Sequence, residues 1–310
     1  MASSESPHFN PASPAPCRDP VPDDCDYDEL LRQGDKLSDL ASQKSGAEAD
    51  ALFSAAGGKY AAALAIKPDD HLALYNWGTA LIHLAQQKSG AEAYALFAAA
   101  GKKYAAAIAI KPDDHETLYN WGNALSDQAE HTTGAEADDL LSAAGEKYAA
   151  ALAIKPDDCD AFNNWGNALS EQAKQKSGAE ADALFSAAGE KYAAALAIKP
   201  DLHEALYNWG HALSDQAEQT MGADADALFS AAGEKYAAAL AIKPDDHLTH
   251  YYLACLAALR GDTAGAVKEL QRAVECGYDD LTQSEIAAEK DFYRVRDSAE
   301  FRAFVATLPE

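Results

Sequence analysis

The chain has 310 residues, of which 50 are Asp or Glu and 25 are Lys or Arg, so its formal net charge is −25. A surface this negative repels phosphate backbones and anionic lipid headgroups, which argues against nucleic-acid and membrane partners and favours basic or neutral protein segments. The five cysteines have no Cys-x-x-Cys spacing, and their odd number argues for a reducing compartment. Because we find neither a secretory signal pattern nor an apolar run of about 18 residues, we expect a cytoplasmic location.

A 44-residue period dominates the chain after a first segment, residues 1–25, that is rich in Ser, Pro and Asp and is predicted to be disordered. The tripeptide Asn-Trp-Gly ends at Gly78, Gly122, Gly166 and Gly210, each 44 residues after the last. Lys-Pro-Asp and Lys-Tyr-Ala-Ala-Ala recur with the same step. A period of this size is typical of solenoids. We therefore predict six units, the last of them ten residues shorter: 27–70, 71–114, 115–158, 159–202, 203–246 and 247–280.

Each unit is predicted to form two helices. In the second unit the first helix has apolar residues three or four apart on one face: Leu74, Trp77, Leu81 and Leu84. The second helix begins at Ser-Gly-Ala-Glu, a sequence typical of a capping box, which starts at Ser45, Ser89, Thr133 and Ser177 in four units. Pro112 ends this helix, and Asp113 and Asp114 can cap the next one. A single hairpin cannot bury its apolar face, so the copies must stack into an all-α solenoid.

The pattern Ala-Leu-Tyr-Asn-Trp-Gly-Asn-Ala-Leu, with Ala before Tyr and Ala-Leu before Pro, resembles the tetratricopeptide repeat. The resemblance covers roughly residues 27–280 and implies a right-handed superhelix of helical hairpins. Residues 247–280 have the family's usual length and resemble the closing unit of some bacterial arrays. The other units carry ten extra residues, whose helix-forming sequence predicts longer helices. Residues 281–310 are predicted to form capping helices. The last of them runs from Ser298, its cap, to Leu308 and has apolar residues at Phe301, Phe304, Val305 and Leu308.

Two recurring residue types suggest chemistry at first sight. A row of unit-start residues (His71, His115, Cys159, His203 and His247) resembles a metal ladder, but packed helices lie about 8–10 Å apart, too far for one ligand per unit to meet the next. The four Trp residues sit among small residues and are predicted to pack in the core. With no catalytic motif and no Gly-rich phosphate loop, the sequence predicts no enzyme activity, no cofactor and no metal.

The resemblance implies a peptide-binding groove on the first helices. In that family, residues at the second, fifth, sixth, ninth and thirteenth positions of each unit face the ligand, counting His71 as position one of its unit. Carried onto this sequence, the second positions are Glu116, Asp160 and Glu204, and the fifth are Tyr75, Tyr119, Asn163, Tyr207 and Tyr251. The sixth positions are Asn76, Asn120, Asn164 and Asn208, and the ninth are Thr79, Asn123, Asn167 and His211. The thirteenth positions are Asp127, Glu171 and Asp215.

These residue types favour a scaffold that binds an extended, basic or neutral protein segment. Asn amides offer donors and acceptors to a peptide backbone, Tyr adds contact area, and carboxylates select Lys or Arg. The alternative for the same residues is that the Asn belong to the repeat consensus and the acids only solvate the surface. The family's Lys clamp for acidic tails is missing. A structural role, in which the near-identical units self-associate into an assembly without a dedicated ligand, is the alternative function.

Overall fold

The computed structural model describes residues 24–279 and 281–310, which form fourteen α-helices and one short 3-10 helix and contain no β-strand. The all-α prediction is confirmed. The segment predicted to be disordered lies outside the described residues, apart from Asp24 and Cys25, which begin the first helix. The helices are α1 (Asp24–Ser42), α2 (Gly46–Ile66), α3 (His71–Ala85), α4 (Gly90–Ile110), α5 (His115–Ala129), α6 (Ala135–Ile154), α7 (Cys159–Lys174), α8 (Ala179–Ile198), α9 (His203–Gln219), α10 (Ala223–Ile242), α11 (His247–Leu259), α12 (Thr263–Glu275), α13 (Gln283–Ala288) and α14 (Ala299–Val305), with the 3-10 helix over Lys290–Arg294.

Helices α1 to α12 form six hairpins that stack in one array. We call the odd-numbered members the first helices and the even-numbered members the second helices. Each second helix packs against its own first helix and, from α2 to α10, against the first helix of the next unit. From α1 to α9, each first helix also contacts the first helix that follows it. The hydrophobic clusters accordingly join neighbouring units along the array. This is the architecture of an α-solenoid, as the sequence predicts.

A glycine in the first helix and a tyrosine in the second helix fix each long hairpin. A Cβ atom added at Gly122 would lie 2.6 Å from Cε1 of Tyr148, so only glycine allows the ring to pack there. Tyr148 is 1% exposed. A helix interior normally disfavours glycine, and its presence here reflects this close approach. The same contact recurs in five units, between Gly34 and Tyr60, Gly78 and Tyr104, Gly122 and Tyr148, Gly166 and Tyr192, and Gly210 and Tyr236.

The tryptophans, which the sequence predicts to pack in the core, are only partly buried and pack against the core clusters at the junctions between units. A Cβ atom added at Gly145 of α6 would lie 2.9 Å from Nε1 of Trp165 in the next first helix. Nζ of Lys191 lies over the same indole ring, 3.8 Å from the ring centroid. A cation held against an aromatic face is attracted by the ring's electron density. Each tryptophan therefore joins two units, since it contacts a glycine of the preceding unit and a lysine of its own unit.

The capping boxes predicted at the start of the second helices are wrong. Ser45 and Ser89 are N-cap residues, but neither side chain makes a capping hydrogen bond. In α6, α8 and α10 the N-cap residue is a glycine with φ between +61° and +69°, so Thr133 and Ser177 lie one residue before it. The physical reason is the left-handed glycine, which turns the chain sharply just before the helix and moves the hydroxyl away from the first amides.

Aspartate caps begin several of the first helices. The Asp70 carboxylate accepts from the backbone N–H of Leu72 at 2.8 Å, and the Asp158 carboxylate accepts from that of Ala161 at 3.0 Å. At Asp114 the predicted backbone cap is wrong, because this carboxylate accepts instead from the Thr117 hydroxyl. The negative charge in every case lies at the positive end of a helix, where it is favourable.

The ten extra residues of the long units extend the helices, as predicted. Helix α4 has 21 residues, whereas α12 of the short last unit has 13. At about 1.5 Å per residue the difference is about 12 Å. The array is therefore a thick slab, and its first helices also run beyond the length of α11. The far end is covered by α14, which packs on α12 and buries Phe301 and Phe304.

We expect Gly122→Ala to destabilise the array, because its methyl group would displace the Tyr148 ring from a closely packed site. The cost should be about 1–3 kcal/mol, typical of overpacking. The matched control is Gly58→Ala, at an exposed position of α2 where an added Cβ meets nothing within 4 Å. That change should stabilise by about 0.5–1 kcal/mol. Urea unfolding followed by circular dichroism measures both, and equal effects at the two sites would contradict the assigned contact.

Candidate functional site

The first helices line the inner face of the array. Neighbouring first helices contact one another from α1 to α11, whereas the second helices are separated by the first helix of the next unit. In a curved stack the more closely spaced row lies on the inside of the curve. The residues that the sequence predicts for a groove all lie on this row, and we call its surface the groove.

Sixth-position asparagines form a ladder between units. Asn164 donates through Nδ2 to the Tyr119 hydroxyl and to Oδ1 of Asn123, both at 3.0 Å and both in the preceding unit. Its own Oδ1 accepts from Asn163 at 3.1 Å. The same link recurs from Asn76 to Asp35, from Asn120 to Tyr75, and from Asn208 to Asn163. These amides couple each unit to the one before it.

Buried tyrosines reach the ladder from the core. The Tyr148 hydroxyl donates to Oδ1 of Asn123 at 2.8 Å, and the Tyr192 hydroxyl donates to Oδ1 of Asn167 at 2.8 Å. These are the rings that pack over glycine in the same hairpins. The groove asparagines are thus held in place by the packing beneath them, which fixes the direction of their side chains.

A cleft of about 350 Å³ opens in the groove between α5 and α7. It brings together five of the residues that the sequence predicts for ligand contact: Asn123, Asp127, Asn164, Asn167 and Glu171. Leu141 and Tyr148 form part of its lining, and Gln86, Ser126, Glu130 and Gln175 complete the polar part. Three carboxyl groups therefore line one cleft, and neither lysine nor arginine is among its lining residues.

Asp127 is the unusual group of this cleft. Burial of the carboxyl, followed by the charge of Glu130, raises the pKa of Asp127 to about 6, although a hydrogen bond from Gln86 acts in the opposite direction. A carboxylate that is partly removed from water and faces another acid is costly to ionise. Groups with perturbed pKa values in clefts are candidates for functional residues.

A smaller cleft of about 220 Å³ occupies the equivalent place between α1 and α3. Asn76 and Thr79 line it, together with Asp35 and Asp39. The other residues predicted for the groove lie outside both clefts. Second-position acids are exposed at the rim, where Glu116 accepts from the Tyr75 hydroxyl at 2.7 Å and Asp160 and Glu204 face solvent. Tyr119, Asn120, Asn163 and Asn208 belong to the ladder.

The carboxyl-terminal end of the groove is filled by its own side chains. His211 bonds through Nδ1 to Asp215 at 3.1 Å, and its ring meets the edge of Tyr252, with centroids 4.9 Å apart. Tyr207 packs edge-on against the same Tyr252 at 5.7 Å. Tyr251 contacts Phe292 of the terminal 3-10 helix at 6.1 Å. The predicted groove therefore differs along its length, from open in the middle to packed at this end.

Sequence reasoning missed the cleft residues near the ends of the first helices. Ser126, Glu130 and Gln175 are at positions twelve, sixteen and seventeen of their units, and Gln86 is at position sixteen. The family positions stop at thirteen, because the usual first helix is shorter. The signal that could have found Gln86, Glu130 and Gln175 is the ten-residue extension itself, which carries the groove surface further, whereas Ser126 falls between two family positions.

Two of the unit-start histidines lie against an aspartate. Nε2 of His115 lies 2.7 Å from Oδ2 of Asp158, the cap of the next first helix, and His203 lies 3.5 Å from Asp246 in the same way. Within residues 24–279 and 281–310 no group of three or more His, Cys, Asp or Glu side chains could hold a metal ion. These two histidines therefore connect the start of one first helix to the cap of the next first helix. Among the helices described, none has both the length and the apolar character needed to cross a membrane.

We expect Asn164→Ala to lower the free energy of unfolding by about 1–3 kcal/mol, because it leaves hydrogen-bonding groups of two units unpaired. A double-mutant cycle with Tyr119→Phe should give a coupling energy of about 1 kcal/mol across the interface between units. Urea unfolding of the four proteins measures the coupling. Strictly additive effects would show that the ladder does not connect these units.

Comparisons with known proteins agree with the architecture. A tetratricopeptide repeat protein from Parabacteroides merdae superposes with a TM-score of 0.60 at 13% identity, over 91% of this chain and 90% of that one. PilF from Pseudomonas aeruginosa superposes with a TM-score of 0.52 at 16% identity, over 91% of this chain and 99% of that one. At these identities the similarity establishes the fold alone. No curated protein sequence matches the chain.

One family model matches the sequence, and its description is "Plant specific mitochondrial import receptor subunit TOM20". It matches twice, over residues 68–158 and 142–264, as expected when one family domain is aligned with an array of near-identical units. The two matches together cover well over half of the chain. The protein is a tetratricopeptide repeat protein, and it belongs to the family of the plant-specific mitochondrial import receptor subunit TOM20.

Proposed function

We propose that the protein is an interaction scaffold whose groove binds an extended, basic or neutral segment of a partner protein. The observation that carries the proposal is the cleft between α5 and α7. There the half-buried carboxyl of Asp127 lies near Glu130, and neither lysine nor arginine lines the space, although Glu171 on the α7 side is already paired with Lys174. A lysine or arginine side chain of a partner would supply the counter-charge that Asp127 and Glu130 lack.

The energetics of Asp127 support a role in binding. Because its pKa is raised to about 6, the ionised carboxyl destabilises the folded array at neutral pH. A residue that costs stability and lines an open cleft is typical of a site kept for function. A bound cation would remove part of the cost, so the gain on binding comes partly from relief of an unfavourable charge in the free protein.

The ladder changes which groove residues we assign to the ligand. Sixth-position amides are already donating to the preceding unit, as Asn164 does to Tyr119 and Asn123. We therefore assign contact with the ligand mainly to the ninth and thirteenth positions, where Asn123, Asn167, Asp127 and Glu171 line the cleft. The proposed role is binding without catalysis, cofactor or metal.

The family description suggests a more specific setting for the same activity. Its members are described as mitochondrial import receptor subunits, and a receptor of this kind needs a surface for segments of other proteins. We propose that the partner segment belongs to a protein bound for mitochondria and that the array meets it in the cytoplasm. Cell fractionation with a tagged chain tests the setting, and import competition by the purified array tests the partner class.

We expect Asp127→Asn to separate stability from binding. The substitution should raise the free energy of unfolding at pH 7 by about 1 kcal/mol, a value reduced from the full pKa shift because the cleft is open to water. It should also weaken binding of a short fluorescent peptide of alternating Lys and Ser by about fivefold to tenfold. Urea unfolding and fluorescence anisotropy measure the two effects.

The pH dependence supplies the control for Asp127. In the wild type, affinity for the Lys peptide should rise as the pH increases through about 6, because the carboxyl then ionises. Stability should fall over the same window, between the ordinary Asp pKa of about 4 and about 6, because the folded state holds this proton more tightly. Both trends should be much weaker in Asp127→Asn. Unchanged affinity in that variant at every pH would overturn the assignment of this cleft.

We expect wild-type affinity for the Lys peptide to fall steeply as salt is raised, since exposed charges are screened over about 8–10 Å at physiological salt. The matched control is the same peptide with acetylated lysines, which keeps the length and loses the charge. At a given salt concentration, the charge-reversal variant Glu171→Lys should bind the Lys peptide more weakly than the wild type does. Equal affinity for the two peptides would remove the electrostatic part of the proposal.

The alternative function is self-assembly of the array without a dedicated ligand. Light scattering at several protein concentrations tests that alternative.

A further inference from the structure

The gap between α7 and α9 is the equivalent, one unit later, of the open cleft between α5 and α7. In the open cleft, two thirteenth-position acids, Asp127 and Glu171, face the groove from neighbouring first helices. The next such pair is Glu171 and Asp215. Here Lys174, at the end of α7, donates through Nζ to Oε1 of Glu171 at 2.9 Å.

Lys174 is hydrogen-bonded to Glu171 and is attracted by the charge of Asp215. Its side chain is 38% exposed. Burial opposes the charged form, but the hydrogen bond and charge of Glu171 and the charge of Asp215 outweigh it, so the pKa of Lys174 is raised. Tyr252 of α11 adds a further favourable contribution. The ammonium group thus pairs with one thirteenth-position acid and is attracted by the next, which is the arrangement proposed for a ligand's lysine between α5 and α7.

The repeat comparison shows that this lysine is particular to one unit. Position sixteen is Ser42, Gln86, Glu130, Lys174 and Glu218 in the five long units. The ninth position also departs here, because His211 replaces asparagine and bonds to Asp215 at 3.1 Å. Two substitutions in otherwise near-identical units therefore place the chain's own nitrogen bases between α7 and α9.

We propose that Lys174 is a built-in occupant of a second subsite for a basic side chain, which it keeps closed to the ligand. The inference rests on the proposed function and adds to it. The free groove then accepts one basic residue, between α5 and α7, and a second only when Lys174 is removed or displaced. A tethered lysine competes at a high effective concentration, so it can exclude a ligand lysine of equal intrinsic affinity.

Lys174→Glu tests the inference, and it is compatible with the fold because units three and five carry Glu130 and Glu218 at this position. The probes are fluorescent Ser/Gly peptides that carry either one lysine or two. The matched control is Lys268→Glu, which makes the same change in net charge at a lysine on α12 that is 74% exposed. Fluorescence anisotropy measures all three proteins with both peptides.

We expect Lys174→Glu to bind the two-lysine peptide about tenfold more tightly than Lys268→Glu does, with a gain of about twofold for the one-lysine peptide. Equal affinity of the two variants for the two-lysine peptide, with the wild type still binding the one-lysine peptide, would overturn the inference alone. If none of the three proteins preferred a lysine peptide to its acetylated form, the proposed function itself would fall.

Discussion

The contact between the first-helix glycine and the second-helix tyrosine governs both the core and the groove. At Gly122 the absence of a side chain lets the Tyr148 ring pack directly on the helix backbone. The same ring carries its hydroxyl through to the inner face, where it donates to Asn123. Loosening the hairpin would therefore also release the groove residue that joins this unit to Asn164 of the next. Packing within a unit and hydrogen bonding between units therefore depend on the same tyrosine side chain.

That arrangement explains why polar residues on an inner face need not be ligand contacts. An array without a central core must fix the angle between units, and the apolar contacts alone are mostly with alanine, which has little shape to specify an angle. Directed hydrogen bonds such as those of Asn164 supply the missing geometry. The row of asparagines therefore stabilises the contacts between units, whereas the carboxyl groups beyond the row are available to bind a partner.

The fold could be predicted from the sequence because the period, the proline stops and the small residues all indicate the same hairpin. The spacing of the asparagines showed that they share a face, but not that Asn164 would bond to Tyr119, since the angle between units is set by packing that no single unit contains. Ser89 illustrates a local failure, because the positive φ of the following glycine, +58°, decides the turn. Glu130 was missed because it lies beyond the positions of a shorter repeat.

Near-identical units would by themselves produce a groove with the same chemistry at every step. The differences lie where the copies depart from one another. Glu130 leaves the cleft between α5 and α7 acidic and open, whereas Lys174 and His211 fill the gap that follows. The repeated residues therefore build the surface, and a few departures on it determine where a charged partner can enter. For duplicated arrays of this kind, the positions that have diverged are better guides to binding than the positions that are shared.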